Sequence, residues 1–190
     1  MNKLLSVFLQ KPAYEVAPLL LGCILEREID GKKMRVRIVE TEAYDETDAA
    51  SHSYKGQTSR TEIMFGEAGY LYVYFTYGMH YCCNVVTGKK GDGSAVLIRA
   101  VEPVEGEECM RELRNVEGIQ LTNGPAKLCK ALAIDKRLNG HDLTEAPLKL
   151  IIQKPAEASK IIQTKRVGIS HAKDILWRFY LSGNRYVSKL

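Results

Sequence analysis

This chain contains no C-x-x-C pair and no H-x-x-x-H pair, although it carries five cysteines and four histidines among 190 residues. The spacings of a zinc site or a redox dithiol are therefore missing. The odd set Cys23, Cys82, Cys83, Cys109 and Cys129 does not make a disulfide framework, and reduced thiols of a cytoplasmic protein suit it best. No run approaches the ~20 apolar residues of a membrane helix, and no basic leader precedes an apolar stretch. Val16–Leu21 is too short to span and reads as buried helix. Repeats, low-complexity segments and linkers are also absent. Neither sign of charge dominates: 27 Lys and Arg face 23 Asp and Glu, a net charge of +4. That balance permits a nucleic-acid partner without requiring one. With 45% hydrophobic residues, the chain suits one domain over residues 1–190 with a sizeable core.

What the chain does have is tyrosine in one place. Five of its ten tyrosines lie between Tyr70 and Asn84. Tyr70, Tyr72 and Tyr74 alternate and share one face of a strand. Thr76-Tyr77-Gly78-Met79 breaks the alternation, and Tyr81–Val86 resumes it. This predicts a protruding hairpin with an aromatic ring and a methionine at its tip. Flat apolar groups so placed suit a stackable partner such as a nucleic-acid base.

Around the hairpin the pattern predicts helices over Lys3–Leu9 and Glu15–Leu21, a strand over Gly22–Glu28, and a tight turn at Asp30-Gly31. A strand over Met34–Tyr44 returns, followed by a polar loop over Asp45–Arg60. Gly88–Gly93 turns into an apolar strand, Ala95–Val101. Two helices follow: Glu105–Asn115, and one opening near Asn123 and Pro125. Short strands are predicted at Leu148–Ile152, Ile161–Val167 and Arg178–Leu181. The fold class is α+β, a largely antiparallel curved sheet with flanking helices.

Strict alternation along Met34–Tyr44 puts Val36, Ile38, Glu40 and Glu42 on one face. A carboxylate at the end of an apolar face is either a rim ion pair or a group in use. Arg99, ending an apolar run, is its natural partner. A carboxylate and an arginine at the floor of an aromatic pocket hold and activate a water. Asn84 is a satisfied buried amide or a ligand contact, and His52 by itself reads as a loop histidine. No lysine lies close in sequence to these residues, so no Schiff base is suggested.

The segments Arg37–Tyr44, Ala50–Ser53, Met64-Phe65, the tyrosine hairpin through Asn84, Gly91–Pro103, Gly124–Cys129 and Arg166–His171 together resemble the alkyladenine (3-methyladenine) DNA glycosylases. The resemblance covers about Leu20 to the C-terminus. It implies a monofunctional enzyme that excises alkylated or deaminated purines from duplex DNA and leaves an abasic site. It implies no cofactor, no metal, no membrane and no obligate protein partner, and the chain is expected to act as a monomer. Glu42 would be the general base, with Arg99 and the backbone carbonyl of Ile169 positioning the water. Tyr44 and Tyr74 would sandwich the flipped base, His52 would meet its edge, and Asn84 would exclude guanine. Tyr77 would intercalate, supported by Met79. Arg60, Lys127 and Lys136 align with positions that contact the DNA backbone.

The chain departs from the mammalian members in three ways. It has no long N-terminal extension, its loop Asp45–Ser51 differs and is slightly shorter, and position 80 is His where a tyrosine is familiar. Two other readings stay open. A non-catalytic sensor of distorted DNA gives Glu42 no purpose opposite Arg99. A nucleoside hydrolase gives Tyr77 and Met79 no purpose on a tip.

Overall fold

A computed structural model describes residues 7–76 and 78–189. Its organising element is one long strand. Strand β1 (Ile24–Ile29) turns through Asp30 and Gly31, at φ 49° and 76°, into β2 (Lys32–Tyr44). Two successive left-handed residues match the right-handed twist of the strands they join, so the hairpin closes tightly. The first half of β2 pairs with β1, its second half pairs with β8 (Arg178–Leu181), and its other edge pairs with β5 (Ala95–Glu105). From β5 the sheet continues to β4 (His80–Val86) and β3 (Leu71–Thr76), the two arms of the tyrosine hairpin. Beyond β1 lies β6 (Leu148–Ile151), and β7 (Ile161–Thr164) flanks β8. Every pairing is antiparallel, and the sheet curls into a half-barrel. The predicted α+β class is the observed one.

Helices cover the core side. Helix α1 (Ala13–Leu19) is fixed to β2 by Thr41, whose hydroxyl donates to the carbonyl of Ala17 at 2.9 Å. Helix α2 is Glu107–Arg114, and α3 is Pro125–Ala131 with proline in its first turn, where no amide is needed. Asn123 does not cap α3. Gly124 stands at that position, and the Asn123 side chain accepts from Lys127 Nζ at 2.7 Å. The predicted helix over Lys3–Leu9 lies outside the described residues except for residues 7–9, which are helical.

The main core joins Leu20, Leu25, Val36, Ile38, Ile98 and Leu128 with their neighbours. A smaller cluster of Met64, Tyr72, Val86 and Ala95 carries Tyr70 and Tyr74 on its border. The three alternating tyrosines do share one face.

Alternation fails in β2, and the reason positions the site. Ile38 pairs with Val101, Glu40 with Ala100, and Thr41 with Ile98. Val39 is thus an extra residue in β2, and Arg99 an extra residue in β5. These facing bulges reset the phase of both strands. Ile38 and Ala43 both belong to the main core, as do Ile98 and Val101. Glu40 and Glu42 therefore leave the face of Val36 and Ile38, where strict alternation had put them, and turn with Arg99 to the opposite side.

Candidate active site

On that side a cavity of about 410 Å³ opens between the end of β2, the β3–β4 hairpin, the loop at residues 49–52 and the segment 167–171. Such a volume suits a small planar ligand.

Glu42 is fully buried directly behind this lining, bonded to Tyr44, Arg99 and Val167, which do line the cavity. One carboxylate oxygen, Oε1, accepts the backbone N–H of Val167 at 2.8 Å. The other, Oε2, accepts the hydroxyl of Tyr44 at 2.8 Å and Nη1 of Arg99 at 3.2 Å. Three donors satisfy this buried carboxylate, whose burial without partners would be costly.

Arg99 is the hinge of a larger charge group. Its Nε donates to Glu40 Oε1 at 3.1 Å, and its Nη1 also reaches the carbonyl of Val167 at 3.4 Å. Burial works against its charge, but Glu42 and Glu40 outweigh burial and hold its pKa above the ordinary value. Glu40, also fully buried, takes a second arginine, Arg178, at 2.7 Å. The carboxylates and guanidiniums thus close as a neutral quartet, the form in which buried charges persist.

Tyrosines make the walls. Burial, then Glu42, raises the pKa of the Tyr44 hydroxyl, so it stays protonated and donates. Behind its ring, 4.6 Å from the centroid, lies the guanidinium of Arg166. Arg166 is clamped by Asp48 and donates to the carbonyl of Ala43 at 2.9 Å, so the loop after β2 is tied to the wall it follows. Tyr74 stands in the hairpin wall, its ring 5.7 Å from that of Tyr72. Burial, then Cys82, raises its hydroxyl pKa, and burial pushes the Cys82 thiol up to about 11.

His52 meets Tyr74 edge-on, with ring centroids 4.6 Å apart. Arg60 can only donate, and its Nη2 lies 3.4 Å from His52 Nε2. That contact assigns the proton to Nδ1, which donates to the Tyr72 hydroxyl at 3.1 Å. Desolvation, then the charge of Arg60, lowers the pKa of His52 to about 4. Asn84 donates its amide to the carbonyl of Tyr72 at 3.1 Å and lines the cavity.

The structure therefore brings Arg99, Tyr44, Tyr74, His52, Asn84 and Ile169 to one cavity, with Glu42 behind its wall, bonded to Tyr44, Arg99 and Val167. The backbone group that touches Glu42 and Arg99 is Val167, two residues before Ile169. Met79 stands 70% exposed at the hairpin tip, while Tyr77 lies outside the described residues. Arg60 leans over the Tyr74 ring at 5.8 Å, at the cavity mouth. Lys136 is exposed, and Lys127 is engaged by Asn123 and Gln120. Sequence reasoning missed Arg166, Arg178, Asp48 and Ser188. Arg178 carried a signal, a charge inside the apolar strand that follows Trp177. The others depend on contacts across more than 110 residues.

Comparison with known proteins agrees with this geometry. Residues 7–185 match the family model for methylpurine-DNA glycosylase (MPG). Three relatives carry the name "Putative 3-methyladenine DNA glycosylase". The one from Carboxydothermus hydrogenoformans is 52% identical over 92% of both chains. The one from Desulfitobacterium hafniense is 48% identical over 99% of both, and that from Methanoculleus marisnigri 46% identical over 97% of both. Matches of this extent, in a chain whose aromatic cavity is backed by a buried carboxylate, identify it as a member of the methylpurine-DNA glycosylase family, enzymes that hydrolyse N-glycosidic bonds in DNA.

Proposed function

We propose that this glycosylase removes alkylated or deaminated purines, the class of 3-methyladenine, hypoxanthine and ethenoadenine, from duplex DNA. The target base leaves the stack and enters the cavity between Tyr44 and Tyr74, because a base inside a duplex is out of reach of any attacking group. Stacking on two tyrosines offsets part of the unstacking cost, roughly 1–3 kcal/mol per ring. A cationic alkylated purine gains further from the negative face of the rings. The hairpin tip with Met79 and Tyr77 fills the gap left in the helix, and Asn84 presents its amide where a guanine amine would collide.

Glu42 then acts as general base. Water brought to the Glu42 carboxylate gives it a proton as the water oxygen attacks the anomeric carbon. The bonding electrons of the N-glycosidic link leave with the base, and an abasic site remains. The backbone at Val167–Ile169 and Arg99 hold the water in line. Among the described residues no lysine lines the cavity, so the reading stays with water and not with an amine nucleophile.

The carrying observation is Glu42: fully buried and held by three donors, Tyr44, Arg99 and Val167, that themselves line an aromatic cavity. The test is excision from a duplex with one central hypoxanthine, beside an undamaged duplex, with and without alkali. Strand breaks only after alkali, lost by about 10²–10⁴-fold in Glu42→Gln, are expected. Retained turnover in Glu42→Gln would remove it from the mechanism. If hypoxanthine is refused, methylated DNA separates a narrow lesion range from a protein without excision activity.

A further inference from the structure

Glu40 is a second buried carboxylate, on the far side of Arg99 from Glu42, and base removal as proposed does not use it. It is fully buried, yet it collects four donors: Arg99 Nε at 3.1 Å, Arg178 Nε at 2.7 Å, and the backbone N–H and hydroxyl of Ser188 at 2.6 and 3.0 Å. Arg178 Nη2 donates to the carbonyl of Lys189, so residues 188–189 are bound to the quartet from two sides. The Ser188 hydroxyl also accepts Arg99 Nη2 at 3.4 Å.

The consequence falls on Arg99. A guanidinium facing one carboxylate forms a two-pronged pair with it. Here Glu40 occupies Nε and Ser188 occupies Nη2, so Nη1 alone reaches Glu42. We propose that Glu40, held by Arg178 and Ser188, is a positioning residue that divides Arg99 between two carboxylates and thereby keeps Glu42 basic enough to take a proton from water. This rests on Glu42 being the base. Without the negative charge of Glu40, Arg99 turns its full fork to Glu42 and a repelling charge vanishes. Both changes favour the ionised carboxylate and weaken it as a base.

The groups that face Glu42 keep this testable. They are Tyr44 on its own strand, Arg99 on β5, Tyr74 on β3 and Arg166 before Val167, with Cys82 on β4 beside Arg99 and Tyr74, and Asp48 and Arg178 reached through arginines. Tyr44, Tyr74, the Cys82 thiol, Arg99 and Arg166 all have pKa values raised above the ordinary ones, so they keep their charge state below pH 8.

The experiment is single-turnover excision across the range from about pH 4 to 9 for the unmodified chain, Glu40→Gln and Ser188→Ala, with folding checked by thermal melting. The acidic limb is expected to move down by about one pH unit in Glu40→Gln while the plateau falls about tenfold, one unit corresponding to tenfold in basicity. Ser188→Ala is expected to move the limb the same way by less, and it serves alone if Glu40→Gln does not fold. An acidic limb unmoved in a folded variant overturns the proposal, whatever the plateau, because a purely structural defect lowers rate at all pH alike. Failure of Glu42 as base shows separately, as turnover in Glu42→Gln.

Discussion

At the scale of single residues, His52 shows how the site sets a protonation state. Its ring lies between Tyr72, Tyr74 and Arg60, and desolvation followed by the arginine charge puts its pKa at about 4. The direction is downward from the ordinary value of about 6.5, so the neutral ring is the folded form. Stability from this group is complete above the unfolded value and is lost as pH falls toward the folded one. The exposed edge of the ring keeps that contribution small. The clearer consequence is chemical: at neutral pH His52 offers a neutral imidazole to the base and adds no positive charge of its own to repel an alkylated purine. In an NMR titration, the His52 ring resonances are expected to stay flat through pH 6 and move only near pH 4. An inflection at the ordinary histidine value would show that Arg60 and the tyrosines do not enclose the ring.

At the scale of elements, the loop that carries His52 is held by a close approach of backbones. Ser53 is fully buried and donates its hydroxyl to the carbonyl of Gly93 at 2.6 Å. A methyl group added at Gly93 would meet Phe65 Cζ at 2.6 Å and Ser53 Cβ at 2.8 Å. Neither is the free end of a flexible chain, so Gly93→Ala must push the loop outward. A loss of about 1–3 kcal/mol is expected in chemical denaturation, together with slower excision as His52 shifts. An alanine variant with unchanged stability and rate would mean that the loop adapts freely. The same scale shows what the amino-acid sequence made legible. The alternating tyrosines, the Asp30-Gly31 turn and Pro125 at a helix start are local signals, and each element stands where its signal put it. The facing bulges at Val39 and Arg99 left no such signal, because a bulge is a relation between two strands about 60 residues apart. They turned Glu40 and Glu42 away from Val36 and Ile38, so the sequence paired the carboxylate with its arginine but put Glu40 and Glu42 on the wrong face of β2. Val167 and Ser188 escaped notice for the same reason: what they do is defined by β2 and not by their own neighbours.

At the scale of the whole molecule, charge decides how the protein meets DNA. A net charge of +4 gives a weak general attraction, so backbone affinity must come from a few placed cations. Of the three backbone positions inferred from resemblance, Lys127 already serves Asn123 and Gln120, and burial, then Arg114, lowers its pKa. Arg60 and Lys136 are both exposed. Two cations that each release about one counterion predict a slope of about −2 for log affinity against log salt. Replacing Arg60 or Lys136 by alanine is expected to flatten that slope by about one in each case, at any sequence, while Lys127→Ala leaves it nearly unchanged. Filter binding or fluorescence anisotropy on an undamaged duplex over a salt series reads this directly. A slope several-fold steeper would mean that the lysines on the surrounding loops also grip phosphates, and that the duplex lies across more of the surface than the cavity mouth and the hairpin tip. A slope unaltered by Arg60→Ala would instead keep that guanidinium at Tyr74 and His52, as part of the base pocket and not of the backbone clamp.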